Sequence, residues 1–139
     1  MRNFVLAGVT CLLFIGTSCV KDNVSDNGTI YGLWNAKDIL SSYRSPTTYI
    51  VSVDRDDIDT SVINVSNLYG INGNGGGYDG FVSCSRSGNT LTIFNCSLTG
   101  YHFTGTGTYD EAGRKITWNY TVSTPEVQND QVYTEFTRN

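Results

Sequence analysis

The sequence predicts an all-β fold, an antiparallel up-and-down barrel of about eight strands. From residue 30 onward, short runs rich in Val, Ile, Thr, Tyr and Phe recur between clusters of Gly, Asn, Asp and Ser. This pattern is typical of a β-sandwich or a β-barrel. No stretch keeps the three-to-four-residue apolar spacing of an amphipathic helix for long. We favour the barrel over the sandwich, because sequential hairpins leave no room for a crossover helix and closure removes both edge strands.

The seventh predicted strand shows the clearest alternation, and the residues on its apolar face are Ile116, Trp118, Tyr120 and Val122. Such a strand buries one face and exposes the other, as in an antiparallel sheet. Residues 87–89 and 110–114 contain the Gly that tight hairpin turns favour. One or two helical turns remain open for residues 35–43. The eight predicted strands lie near residues 30–36, 47–53, 61–68, 79–85, 90–94, 101–109, 115–122 and 131–138.

An apolar leader precedes the predicted domain. It has a basic residue, Arg2, near its start, runs uncharged from Phe4 to Ile15, and ends in small residues before Cys19. This order is typical of a secretory signal, and the apolar run is shorter than the roughly 20 residues of a membrane-spanning helix. Cys19 resembles the first residue of mature bacterial lipoproteins, which implies acyl chains on its sulfur and its amine. A plain secretory signal with an incidental cysteine is the alternative.

Cleavage before Cys19 would remove residues 1–18 and leave a lipidated, polar tether over 19–29, followed by one domain over 30–139. The start of the tether, residues 20–23, partly resembles the signal that sends lipoproteins of the Bacteroides group to the cell surface. We therefore expect a protein held on the outer membrane by its lipid anchor, on the periplasmic face or at the surface. The net charge of −4 argues against nucleic acid as a partner.

Two short motifs at the ends of the domain suggest a family. Gly32-Leu33-Trp34 on the first strand and Phe136-Thr137-Arg138 on the last resemble the signature of the calycin superfamily, which includes lipocalins and avidins. The resemblance implies that Arg138 packs over Trp34 as a structural plug and that the opposite end is the mouth. A core Trp beside a surface Arg is the alternative. Residues 60–138 also resemble small barrel-like lipoproteins of unknown function in the Bacteroides group.

The interior of the barrel determines which function is open to it, since eight strands can enclose one small ligand or be filled by side chains. Inward-facing Trp118 and Tyr120 would either line a site for an apolar or sugar-like ligand or fill a narrow core. Tyr69 and Tyr78 flank a Gly-rich loop that would cap the mouth or serve as a plain connector. A pocket lined by Trp118 would support ligand binding. A packed interior with an exposed apolar patch would support an accessory lipoprotein that binds an envelope protein, and an enzyme inhibitor is a third alternative.

Cys84 and Cys96 are the two thiols of the predicted domain, and a pair outside the cytosol suggests a disulfide. The hairpin turn between them, however, places Cys84 opposite Ile93 and Cys96 opposite Phe81. An offset of three residues is about 10 Å along a strand, and bridged α-carbons lie within about 7 Å. A disulfide therefore requires the chain to bend back near Asn95, and both the bridged and the free states remain open.

The sequence gives little support for catalysis. The single histidine, His102, lies in a strand pattern without a nucleophile motif or a second histidine. The acidic stretch 54–59 lacks the Gly and Glu of an EF-hand loop and is interpreted as a solvated hairpin tip. We expect no enzymatic activity, no cofactor and no metal.

Overall fold

Eight strands close into one antiparallel barrel in the computed structural model, which describes residues 29–71, 80–126 and 129–138. Each strand pairs with the next in sequence, and β8 returns to β1. The predicted up-and-down barrel is therefore confirmed, and the sandwich is not formed. In chain order the elements are β1 (Gly32–Leu40), β2 (Thr48–Arg55), β3 (Val62–Ser66), a short 3-10 helix η1 (Leu68–Gly70), β4 (Phe81–Ser87), β5 (Thr90–Leu98), β6 (Tyr101–Asp110), β7 (Lys115–Ser123) and β8 (Asp130–Thr137).

Two strands, β1 and β5, extend furthest beyond their predicted ends. Residues up to Leu40, for which the sequence leaves a helical turn open, continue β1. Lys37 pairs with Thr48 of β2 and with Glu135 of β8, so ladder hydrogen bonds on both sides override a weak local preference. The second is β5, which continues to Leu98. Within the described ranges, no helix has the length and apolar character needed to cross a membrane.

Both predicted hairpin turns are confirmed. Ser87 pairs with Thr90, so the turn consists of Gly88 and its neighbour, and Gly88 has the φ of +60° that glycine tolerates. Asp110 pairs with Lys115 across the second turn. The Asp110 carboxylate accepts a hydrogen bond of 3.0 Å from the Gly113 N–H, which fixes that turn.

The barrel interior is filled by side chains. All four residues of the predicted apolar face of β7 are buried, including the two largest, Trp118 and Tyr120. They fit because Gly107 and Gly105 of β6 lie directly opposite them. A Cβ on Gly107 would lie 2.6 Å from Cε3 of the Trp118 ring, so the glycine provides the space that the indole occupies. Large residues over small ones are a common way to fill a narrow barrel.

The interior changes from apolar to polar along the barrel. We call the end that contains Trp34 and Arg138 the indole end, and the end that contains Asp38 and Asp130 the acidic end. In the described part of the chain, the buried polar or charged residues are Asp38, Asp130 and Thr134. All three lie towards the acidic end. Buried carboxylates need specific partners, so this end has the more demanding chemistry.

Candidate functional site

At the indole end, Arg138 lies over Trp34, with its guanidinium carbon 4.3 Å from the centroid of the indole. The indole N–H donates a hydrogen bond of 2.9 Å to the Ile30 carbonyl, and Nη2 of Arg138 donates to the Tyr31 carbonyl. Gly32 has a φ of +110°, and a Cβ there would lie 3.2 Å from Nη2 of Arg138. The structure thus brings Gly32, Trp34 and Arg138 together, with the guanidinium stacked over the indole.

Asp38 is the centre of the acidic end. Its side chain points inward from β1 and is 1% exposed. Oδ1 accepts hydrogen bonds from the Tyr49 hydroxyl (2.8 Å) and the Thr134 hydroxyl (2.7 Å), and Oδ2 forms an ion pair with Arg44. These donors come from β2, β8 and the β1–β2 loop. A buried carboxylate is stable when it is paired and hydrogen-bonded in this way.

A second buried carboxylate, Asp130, lies at the start of β8. Its oxygens accept hydrogen bonds of 2.7 Å from the Tyr69 hydroxyl, the Ser41 hydroxyl and the Ser42 backbone N–H. Tyr69 belongs to η1, whereas both serines belong to the β1–β2 loop. Asp130 therefore fastens two segments that lie outside the strands to the rim of the barrel.

Arg44 and Tyr69 together form what we call the cap of the acidic end. The guanidinium carbon of Arg44 lies 3.4 Å from the centroid of the Tyr69 ring, and Nη1 donates a hydrogen bond of 2.8 Å to the Tyr69 carbonyl. The Tyr69 N–H donates to the Tyr49 hydroxyl at 3.1 Å. Tyr69 has a φ of +62°, which is uncommon for a residue other than glycine. The cap contacts hold it in this conformation, and its side chain is almost completely buried.

Three tyrosine hydroxyls of the acidic end have a raised pKa. Burial raises the pKa of Tyr49, and the negative charge of Asp38 adds to the effect. Burial likewise raises the pKa of Tyr69, with a further contribution from its hydrogen bond to Asp130. Burial is also the largest cause of the raised pKa of Tyr120. The hydroxyls of Tyr49 and Tyr69 therefore remain protonated at neutral pH and can donate to the carboxylates beside them.

Trp118 and Tyr120 lie in the core of the described part of the barrel. Trp118 is 0% exposed and Tyr120 is 3% exposed. Trp118 packs against Phe136 with ring centroids 6.1 Å apart, and Tyr120 packs against Phe103 at 6.3 Å. The Nε1–H of Trp118 is buried and has no acceptor in the described part of the chain. Such a donor is a place where a water molecule or a ligand atom would be stabilised.

The barrel wall carries an apolar groove, between outward-facing Phe94 and the inward-facing cysteines, that the sequence analysis did not identify. Its volume is about 270 Å³, and it is lined by Val62, Ser83, Cys84, Ser85, Phe94 and Cys96 of β3, β4 and β5. Phe94 is 72% exposed. Alternation could have indicated this, because the residue after inward-facing Ile93 must point outward. An exposed aromatic side chain beside an apolar groove is a feature of interaction surfaces.

The two cysteines of the groove are separate thiols in the structure. Cys84 pairs with Ile93, as the hairpin turn predicts. The β5–β6 ladder shifts register between Ile93 and Cys96, which is the irregularity near Asn95 that a disulfide would require. Burial raises the pKa of Cys84 to about 12, with a smaller contribution from Cys96.

The remaining polar candidates lie on the surface. Nδ1 of His102 lies 2.7 Å from the Ser97 hydroxyl, and both residues are exposed on neighbouring strands. In the acidic turn, Asp56 accepts hydrogen bonds from the N–H groups of Ile58 and Asp59, which is the role of a turn-forming residue. Within residues 29–71, 80–126 and 129–138, no three His, Cys, Asp or Glu side chains are grouped as a metal site would need.

Sequence reasoning missed the acidic end, although a signal was present. Trp34, Ala36 and Asp38 occupy every second position of β1. In β8, Asp130 lies two positions before Val132, on the same face of the strand. A carboxylate at an inward position of an alternating strand marks a buried charge. Cys19 and Tyr78, predicted for lipidation and for the lid, lie outside the described residues. Neither protein-family models nor curated proteins gave a match to the chain.

Proposed function

We propose that this chain is a lipoprotein of the bacterial cell envelope, anchored to the outer membrane through lipid on Cys19, and that its barrel is a filled scaffold that binds a protein partner without catalysis. One observation supports this most strongly. Trp118 and Tyr120 are buried over Gly107 and Gly105 and pack against other core rings. The space that a calycin-like barrel would offer to a ligand is occupied by its own side chains, so binding falls to the outer surface.

The apolar groove on β3, β4 and β5 is the surface that best fits a protein partner. Phe94 projects from it, and Ser83 and Ser85 supply hydroxyls along its wall. An aromatic residue surrounded by groups that can exclude water is a common anchor of protein interfaces. The partner that fits is a protein segment with an apolar side chain to fill the groove and backbone groups to bond the serine hydroxyls. An inhibitor of an envelope enzyme would be a special case of such a partner.

The test compares two exposed apolar residues on different sides of the barrel. Phe94→Ser removes the anchor of the groove, and Ile50→Ser, at a site that is 51% exposed on β2, serves as the matched control. After chemical cross-linking in cells of the native host, we expect Phe94→Ser to lose a partner band that the wild type and Ile50→Ser both retain. If all three proteins give the same cross-linked products, the groove is not the binding surface. Equal unfolding midpoints would exclude misfolding as the cause.

The acidic end supports a second candidate, the binding of a small sugar-like ligand. Two buried carboxylates and three tyrosine hydroxyls lie close together there, and sugar hydroxyls can replace hydrogen bonds of that kind. The Nε1–H of Trp118, which has no acceptor among the described residues, offers a further donor in the interior. Native mass spectrometry of the protein purified from its host distinguishes the two candidates. An added mass that disappears on unfolding would support the ligand, and a bare chain would leave protein binding as the function.

A further inference from the structure

The bulge in β5 turns Cys96 to the same face of the barrel wall as Cys84. Ile93 pairs with Gly105 of β6, whereas Cys96 pairs with Phe103. β5 therefore advances three residues while β6 advances two, and the extra residue reverses the alternation. Since Phe103 is buried in the interior, Cys96 also faces inward and packs against the core.

The same bulge shortens the separation of the two cysteines along the strands. Cys84 lies opposite Ile93, and without a bulge Cys96 would be three positions away, about 10 Å along the strand. With the bulge it is two positions away, which makes the pair diagonal neighbours with α-carbons about 7–8 Å apart. Bridged α-carbons lie within about 7 Å, so a movement of about 1 Å would allow a bond.

The segment that must move is the one least attached to β4. The ladder between β4 and β5 consists of four residue pairs in the described part of the chain, from Ser87–Thr90 to Cys84–Ile93. Beyond it, β5 is paired with β6 through Cys96, Ser97 and Leu98. The open groove that both cysteines line lies at this separation of the two strands. The second half of β5 can therefore approach β4 without breaking a pair of the β4–β5 ladder.

We propose that Cys84 and Cys96 form a disulfide in the oxidising envelope and thereby join β4 to β5 where their ladder ends. The oxidant is a protein or small molecule that carries a reactive disulfide. Cys96, the more exposed thiol, attacks it as the thiolate, forms a mixed disulfide and releases one thiol. Cys84 then attacks Cys96 and releases the second thiol. Two protons and two electrons leave the pair, and the oxidant becomes a dithiol.

The second step is expected to be slow. Burial raises the pKa of Cys84 to about 12, so its thiolate is scarce at neutral pH, and the thiolate is the attacking form. The rate of ring closure should therefore increase with pH up to that range. This makes accumulation of the mixed disulfide on Cys96 an observable intermediate.

The test uses the full chain exported with its own leader in a bacterial host, with free thiols blocked at lysis under denaturing conditions. We expect Cys84 and Cys96 to resist blocking until reductant is added and to appear in one cross-linked peptide pair. In vitro, glutathione disulfide added to the reduced protein should first add one glutathione to Cys96; ring closure should then release that glutathione and leave the chain two hydrogen atoms lighter than the reduced protein. Complete blocking of both cysteines without reductant, in exported protein, would overturn the proposal.

A stability measurement gives an independent readout. Oxidation should raise the thermal unfolding midpoint by about 10 °C relative to the reduced protein. Cys96→Ser, which keeps the fold because its side chain is only partly buried, should abolish that shift. An equal midpoint for oxidised and reduced wild type would contradict the proposed staple. The proposal does not depend on partner binding, so the Phe94→Ser experiment and this one can fail separately.

Discussion

An arginine stacks over an aromatic ring at each end of the barrel, but the two pairs lie in different settings. Arg138 lies over Trp34 at one end, and Arg44 lies over Tyr69 at the other. The indole end uses residues in or next to β1 and β8, and its N–H groups donate to backbone carbonyls. The acidic end uses the β1–β2 loop and η1, which are bound to buried Asp carboxylates. The contact between Arg138 and Trp34 therefore belongs to the strands themselves. The contact between Arg44 and Tyr69 lies in segments outside the strands, so it can be changed without altering them.

The largest effect is expected from Asp38→Ala at the acidic end. The change leaves Arg44, Tyr49 and Thr134 without their shared acceptor. Loss of one member of a buried ion pair costs about 3–5 kcal/mol, and we expect about 3 kcal/mol because Arg44 is 28% exposed. Urea unfolding measures the change in the free energy of unfolding.

Asp38→Asn is the matched control for that change. It keeps an oxygen that can accept from Tyr49 and Thr134 but removes the charge that pairs with Arg44, so its cost should be about half as large. Equal costs for the two variants would mean that the ion pair, and not the hydroxyl network, dominates the acidic end.

Alkaline pH should also lower the free energy of unfolding, mainly through the buried tyrosines of the acidic end. A folded-state pKa that lies above the unfolded value of about 10 gives stability that is complete below pH 10 and is lost as the pH rises further. Tyr49, Tyr69 and Tyr120 at the acidic end and Tyr109 at the indole end are all raised. For each tyrosine that is protonated in the folded state but ionised in the unfolded state, the free energy of unfolding falls by about 1.4 kcal/mol per pH unit.

Unfolding midpoints between pH 9 and pH 12 measure this slope. Tyr49→Phe should make this decline shallower by the contribution of one tyrosine, because burial and the Asp38 carboxylate that its hydroxyl donates to raise the pKa of Tyr49 in the folded state. Tyr43→Phe, at a site that is 61% exposed, is the matched control for the loss of a tyrosine hydroxyl at the surface. A slope that Tyr49→Phe does not alter would disprove the role of this hydroxyl.

The smallest effect is expected from Arg138→Ala at the indole end. It removes a cation–π contact and a hydrogen bond to the Tyr31 carbonyl, and we expect a loss of about 1 kcal/mol in the free energy of unfolding. Arg138→Lys keeps the charge but not the planar stacking and should recover part of the loss. A loss larger than that of Asp38→Ala would reverse the order of the two ends.

The sequence contained most of the information about the fold. Alternation in β7 predicted which residues are buried, and the Gly positions predicted two turns, because both features depend on local geometry. The extension of β1 to Leu40 depends on pairing with two other strands, which no local pattern shows. The bulge after Ile93 likewise has no local signature in the residues around it.

The candidate sites were less accessible to sequence reasoning. Trp118 and Tyr120 were expected to face inward, but a filled interior required the register that sets Gly107 and Gly105 opposite them. The acidic end joins Asp38 to Thr134, 96 residues apart, and Asp130 to Tyr69, 61 residues apart. Contacts at such separations depend on barrel closure, so composition and spacing could not reveal them.

The position of Gly107 opposite Trp118 has a consequence for how such a barrel could evolve. Because one indole occupies the space above Gly107, Trp118→Ala would open an internal void on the scale of the roughly 150 Å³ cavity that admits benzene in an engineered core. The wall would keep its pairing, since the ladders of β6 and β7 use backbone atoms. One substitution would therefore convert a filled barrel into a barrel with an internal cavity. Ligand binding could arise in this way without a change of fold.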